Sequence, residues 1–269
     1  MSRIDAALRD LRSLEALAAR DTPLARLDAR AKVIATAAFI ITVVSFERYT
    51  VAALLPLAAY PVALIALGDL PVASLARKML VAAPFAVLVG VFNPMLDRAP
   101  MLLAGDVTVA AGWVSFASIL VRFALTVSAA LALVAGTGVS ALCAALARLG
   151  VPNVFTAQLL FMFRYAFVLG AEAARMSAAR ELRSGGRSLA LSAYGPLLGH
   201  LLLRAFERAQ RIHLAMMARG FDGELRTLRM LRWSARDTAF VVAWGAFFVA
   251  VRAVDLPMLL GRMLLGGAS

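Results

Sequence analysis

The sequence predicts an all-α membrane protein with about five transmembrane helices and, between the fourth and fifth, a cytoplasmic segment of long amphipathic helices. Three observations carry that reading. Hydrophobic residues fill 62% of the 269 positions and charged ones only 16%, far outside the composition of a water-soluble globule. The apolar residues fall in runs long enough to cross the roughly 30 Å of hydrocarbon in a bilayer, in keeping with a mean hydropathy of +0.83. The net charge of +12 is gathered in alternate connectors rather than spread evenly. A soluble domain is excluded. So is a self-contained zinc or redox enzyme: Cys143 is the one cysteine, His200 and His213 are the two histidines, and they form neither a disulfide framework nor a cluster with metal-ligand spacing. No catalytic residue, cofactor or metal site is therefore expected.

Residues 1–30 read as a cytoplasmic amphipathic segment, with Leu8, Leu11, Leu14 and Leu17 recurring at three-residue steps. The charged stretch is too long for the n-region of a signal peptide, and the apolar run after it ends at Ser45-Phe46-Glu47-Arg48 without a small-residue cleavage site. Residues 31–136 hold four spans, 31–46, 50–67, 79–93 and 113–136, and residues 237–269 hold the fifth, 237–254, with a tail. Lys and Arg concentrate in the N-terminal segment, in the second connector with Arg77 and Lys78, and in the fourth connector, 137–236. The third connector, 93–112, has Arg98 alone against Asp97 and Asp106. The basic connectors lie on one side, which places the N-terminus in the cytoplasm and the C-terminus outside a multi-pass protein of the cell (inner) membrane. Arg122 interrupts the fourth span. An arginine at that depth is expected to snorkel or to bond a backbone carbonyl in the bundle, and no site is assigned to it.

Residues 137–236 carry fourteen arginines against five acids, a net charge of +9. They are too polar to cross a bilayer repeatedly and too apolar for a solvated loop. No nucleic-acid motif or stacking array accompanies the charge, so no nucleic acid is expected as a partner. A short helix is predicted from 137 to 150, with Leu142, Leu146 and Leu149 on one face. Asn153 is placed to cap a long helix reaching 184, which Gly185-Gly186 ends. A second long helix, 197–220, sets Arg204, Glu207, Arg208, Arg211 and Arg219 opposite Leu202, Phe206, His213, Met216 and Met217. His213 is expected to pack in a hydrogen-bonded position on that apolar face, the methionines to fill gaps, and Cys143 to be a buried thiol. Asp222, after the glycine, is suited to capping a turn, so neither it nor Glu224 is expected to be a catalytic acid.

Both long helices end in arginine close to a glycine: Arg183-Ser184-Gly185 and Ala218-Arg219-Gly220. One arginine at a helix C-terminus is ordinary, because it complements the partial negative charge there and can bond the last carbonyls. Two such tips in one segment point further. A guanidinium at an exposed helix end can bind acidic side chains and backbone carbonyls in a partner's groove at once.

The strings Phe163-Arg164-Tyr165, Ala179-Arg180-Glu181-Leu182-Arg183-Ser184, Leu202-Leu203-Arg204-Ala205-Phe206-Glu207-Arg208-Ala209 and Ala215-Met216-Met217-Ala218-Arg219-Gly220-Phe221-Asp222-Gly223 resemble the T component of energy-coupling factor transporters, most closely its cobalt-type CbiQ subgroup. The strings Leu27-Asp28-Ala29-Arg30-Ala31-Lys32 and Leu149-Gly150-Val151-Pro152 sit where that family has similar ones. The resemblance implies that 137–236 is a cytoplasmic coupling domain. It further implies that two arginine signatures dock into grooves of two cytoplasmic ATPase subunits, and that a separate membrane subunit, the S component, holds the substrate. The second signature maps onto Ala218, Arg219 and Gly220. The first maps onto Arg183 and Ser184 with Leu182 in place of alanine, and Arg180, nearly a turn earlier, is the other candidate. On this resemblance the chain is a non-catalytic subunit of an ATP-driven importer, for cobalt or for another substrate such as nickel or a vitamin. A stand-alone secondary transporter would be expected to show paired broken helices, and a membrane enzyme convergent polar groups in the spans.

Overall fold

The computed structural model describes residues 13, 15–47, 51–96, 100–102, 108–185, 194–221 and 233–253. The chain forms two compact units, one of Leu17–Gly138 with Leu231–Ser269, the other of Met1–Ala16 with Val139–Met230.

In the first unit, α1 (Ala29–Ser45) begins where the Asp28 carboxylate accepts the N–H of Arg30 at 2.8 Å, and it ends where Phe46 turns extended. Its inward face is small or aromatic, with Ala31, Ala35, Phe39 and Val43 at four-residue spacing, while Ile41 and Val44 face outward. The predicted span 50–67 is not one helix. It is α2 (Val51–Leu54), a 3₁₀ turn at Pro56–Ala58 and α3 (Ala59–Leu67). Pro56 has no N–H for the α ladder, and the chain tightens around it. The third span also differs: α4 (Val72–Gly90) begins at 72 rather than 79, directly after the extended Pro71, and takes in Arg77 and Lys78. Long basic side chains in the first turns of a helix reach back to the interface, so they need not end it. A short α5 (Asn93–Leu96) and an antiparallel ribbon of β1 (Pro100–Leu102) and β2 (Thr108–Ala110), with Met101 opposite Val109, lead into α6 (Ala111–Thr137). The last helix of this unit, named α10 below, is Ala235–Ala253. The helices at the spans predicted for 31–46, 113–136 and 237–254 lie within two residues of those bounds at each end.

Lipid supplies no water-exclusion force between helices, so close packing holds them. Ala129, Ala132 and Ala135 on α6 and Ala31 and Ala35 on α1 are fully buried or nearly so and let these two packed helices approach. Phe39, Tyr60 and the Ala235–Ala253 residues Trp244 and Phe248 form an aromatic cluster, with centroids 4.8 Å apart for Phe39 and Tyr60 and 4.9 Å for Tyr60 and Trp244. Thr36 Oγ1 donates to the Lys32 carbonyl at 2.8 Å, so the 2.7 Å bond between Thr36 and Tyr60 has the phenol as donor. Leu24 is wholly buried, and its Cδ2 lies where a Cβ on Gly136 would come within 2.4 Å. Only a hydrogen at position 136 leaves that space.

In the second unit, α7 (Val139–Arg148) packs on α8 (Asn153–Arg183), burying Ala141, Cys143 and Ala145. Pro152, not Asn153, is the cap residue of α8. Its extended backbone starts the helix, Asn153 is already the first helical residue, and no side chain caps the end. The second long helix, α9 (Tyr194–Met217), buries none of its residues, and α8 buries only Thr156. Their apolar side chains, Val154, Phe155, Leu159 and Met162 on α8 and Leu198, Leu202, Leu203 and Phe206 on α9, face outward. His213 is exposed, not packed as expected. No described residue buries the apolar face of α9.

Among the described residues three helices are long and apolar enough to cross a membrane, α4, α6 and α8; α1 and α10, at two of the predicted spans, are not among them, and α8 lies in the segment expected to stay outside the bilayer. The chain is a multi-pass, essentially all-helical membrane protein.

Candidate functional site

The tips of α8 and α9 are built by backbone hydrogen bonds to glycines in the left-handed region. At the end of α9, Phe221 N–H reaches the Met216 carbonyl (3.1 Å) and Gly220 N–H the Met217 carbonyl (3.0 Å), with Gly220 at φ +75°. This is a Schellman closure, and glycine is required because a Cβ would clash at that φ. Gly150 closes α7 in the same way, with φ +99° and bonds from Val151 to Leu146 and Gly150 to Ala147. Gly185 (φ +69°) ends α8, its N–H bonding Leu182 at 3.3 Å. Aligned on these glycines, the two tips differ by one residue. Arg219 immediately precedes its glycine. At that place in α8 stands Ser184, whose hydroxyl donates to the Glu181 carbonyl (2.9 Å), and Arg183 is one residue earlier. One residue of helix is about 100° of rotation, so the two arginines leave their helices in different directions.

Arg183, Arg219 and Arg180 are all exposed, and none of their guanidinium groups bonds another described residue. Neither tip arginine therefore satisfies its own helix's last carbonyls. Beside them lie large exposed apolar side chains, Leu182 at 83% and Met217 at 56%. Each tip thus pairs an uncommitted guanidinium with an apolar contact surface, the combination found at the centres of protein interfaces. Ala218 lies in the turn between Met217 and Arg219, without bulk to hinder an approach. Asp222 and Glu224 lie outside the described residues. Lower down, Glu172 accepts from Arg175 on its own helix and from Arg204 on α9, and so ties α8 to α9.

The first unit holds a polar node that the sequence reading did not identify. Asp237, 1% exposed, accepts Ser234 N–H and Ser234 Oγ–H at 2.8 Å each and the N–H of Asp28 at 2.7 Å. Asp28 caps α1 and pairs with Arg30 at 3.0 Å. Burial works to raise its carboxyl, but hydrogen bonds from Arg30 and the charges of Arg30 and Lys32 hold it below the usual carboxylate range. The Arg30 guanidinium lies 5.5 Å from the centre of the Trp233 ring. Lys32, 2% exposed, donates to the carbonyls of Leu24 (3.2 Å) and Gly136 (3.3 Å), placing an ammonium at the negative end of α6. The only signal in the sequence was Ser234-x-x-Asp237, the spelling of a helix capping box. Arg122 meets its expectation: it donates to the backbone carbonyl of Glu47.

A family model described as cobalt transport protein, CbiQ, matches residues 20–229. Three curated relatives are similar over shorter stretches. An uncharacterised protein of Methanocaldococcus jannaschii is 32% identical over 38% of this chain and 39% of its own length. The energy-coupling factor transporter transmembrane protein EcfT of Staphylococcus aureus is 36% identical over 24% of this chain and 25% of its own. The cobalt transport protein CbiQ of Rhodobacter capsulatus is 32% identical over 42% of this chain and 45% of its own. The matched stretches span less than half the length of each relative.

Proposed function

The chain belongs to the CbiQ family, and we propose that it is the membrane-embedded T component of an energy-coupling factor importer, with cobalt ions as the substrate imported. In this reading residues 137–236 form a cytoplasmic coupling domain, and the N-terminus is cytoplasmic too. Two ATPase subunits take Arg183-Ser184 and Ala218-Arg219-Gly220 in their grooves. ATP-driven movement of those subunits is passed through α8 and α9 to a separate membrane subunit that holds the substrate. The chain itself is not catalytic.

The observation that supports this reading is the pair of exposed tips whose arginines bond no other described residue. If each guanidinium meets acceptors in a partner groove, truncation leaves those acceptors desolvated and unpaired, at about 2–5 kcal/mol per site. If each merely complements its own helix end, the loss is about 0.3–1 kcal/mol. Retention of ATPase subunits on the affinity-purified chain, with cobalt uptake in parallel, separates the two. Arg219→Ala and Arg183→Ala are each expected to weaken the complex and the double variant to dismantle it, while Arg180→Ala leaves it intact. Lysine restores little, having the charge without the planar fork. A double variant that keeps its ATPases and its uptake would sink the coupling reading; damage from Arg180→Ala would reassign the first tip.

A further inference from the structure

We infer, resting on the T-component reading, that Lys32 and Asp237 are positioning residues for energy coupling, which hold as one fixed pivot the places where the chain leaves the first unit for the second. The chain passes between its two compact units after Ala16, after Gly138 and before Leu231. Within the first unit, residues close to all of these passages are gathered on the start of α1. Lys32 Nζ donates to the carbonyl of Leu24, in the stretch that follows the first passage, at 3.2 Å. It donates also to the carbonyl of Gly136, in the last turn of α6 before the second passage, at 3.3 Å. The Asp28 N–H reaches Asp237 at 2.7 Å, and the same carboxylate takes both donors of Ser234, just after the third passage. Side chains repeat the pattern. Leu24 fills the space over Gly136, a Cβ on Gly138 would stand 3.2 Å from that of Ala18, and Arg30 lies 5.5 Å from the centre of the Trp233 ring.

These bonds resist relative movement of the passages more than apolar contact would. Apolar helices in lipid slide at little cost, since lipid tails replace each contact that is lost. A buried ammonium has no such substitute: if the Leu24 and Gly136 carbonyls part, Lys32 loses one of them while its charge stays out of water. Asp237, equally buried, is tied to Asp28 and Ser234 by the same rule. The stiffness is needed at the second passage in particular, because Gly138 at φ +79° separates α6 from α7 and no continuous helix runs across it. Force applied at the tips of α8 and α9 does work on a substrate-holding subunit only to the extent that the roots of the segment do not yield. Releasing Lys32 or Asp237 therefore lets ATP turn over while the roots take up the motion.

The test uses the importer purified with its ATPase subunits and reconstituted in liposomes, with cobalt uptake and ATP hydrolysis read in the same vesicles. Lys32→Met, which keeps the stem and removes the ammonium, is expected to retain the ATPases and their hydrolysis. Cobalt imported per ATP should fall about tenfold, the equilibrium shift from losing charge-assisted hydrogen bonds. Asp237→Asn, which keeps one acceptor oxygen, is expected to lower the ratio about threefold, and it carries the test should Lys32→Met fail to fold. Phe248→Leu thins the aromatic cluster about 16 Å along α10 from Asp237, and so separates coupling from stability. It is expected to melt at a lower temperature with the ratio unchanged. An unchanged ratio in folded Lys32→Met or Asp237→Asn overturns the proposal, as does an equal drop in Phe248→Leu, which would make the effect one of stability alone. A wild type that neither holds ATPase subunits nor imports cobalt overturns the T-component reading itself and this proposal with it, a failure seen before any substitution is made.

Discussion

Asp237→Ala tests the polar node most directly. The carboxylate satisfies three donors, Ser234 N–H, Ser234 Oγ–H and Asp28 N–H, at 2.7–2.8 Å. The bond from Asp28 is buried and joins residues 209 apart in sequence. Removing the carboxylate leaves that buried N–H unpaired, which costs about 1–3 kcal/mol, and removes the reciprocal half of the cap on α10, about 0.5–2 kcal/mol. Because the two losses share one side chain, the expected total is about 3 kcal/mol. For a folding unit of 150–250 residues each kcal/mol moves the melting temperature by roughly 2–4 °C, so the shift should be roughly 6–12 °C. Fluorescence-detected size-exclusion chromatography after heating, on the purified chain in detergent, measures it. Asp237→Asn should recover only part of the loss, since an amide keeps one acceptor oxygen and turns a donor toward Ser234. Arg26→Ala, which breaks an exposed pair with Asp21, serves as the control with no measurable shift. A shift for Asp237→Ala as small as the control's would refute the claim that this carboxylate holds α1 and α10 together.

Gly136→Ala should destabilise by about 1–3 kcal/mol, since its methyl would press on the buried Leu24. Combining it with Leu24→Ala should cost less than the two single changes added, and strict additivity in a double-mutant cycle would refute the contact. Asp28 has its folded pKa lowered, so its stabilisation is complete above the unfolded value near about 3.9 and is lost as pH falls through the lower folded value. Asp28→Asn should therefore melt below the wild type at pH 7, with the gap narrowing toward pH 3; a gap that widens on acidification would contradict this. Glu172→Gln should loosen the link between α8 and α9 and broaden the distance distribution between spin labels at positions 179 and 215. An unchanged distribution would mean that packing, not the shared carboxylate, sets their spacing.

The tip signatures were legible from the sequence because they are local. A left-handed glycine after an amphipathic run, with arginine beside it, is a spelling of a helix end, and Gly185 and Gly220 take the backbone angles it implies. The span at 113–136 was legible for a related reason, since apolar composition over a fixed length is set by bilayer thickness, and α6 has both; at 31–46 and 237–254 the sequence located the helices. Where proline or a snorkelling cation intervened, composition misled. Pro56 breaks the run 50–67, and Arg77 and Lys78 sit inside α4 rather than before it. Position 213 shows the opposite limit, since an apolar helix face predicts burial only if a neighbour covers it, and the described residues leave every residue of α9 unburied. The tertiary structure alone decided which distant polar groups complete one another. Asp28 meets Asp237, Lys32 meets Gly136, Arg122 meets Glu47 and Arg252 meets Ser45. A buried donor needs an acceptor wherever the fold happens to bring one, and no periodicity along the chain encodes a partner a hundred or two hundred residues away.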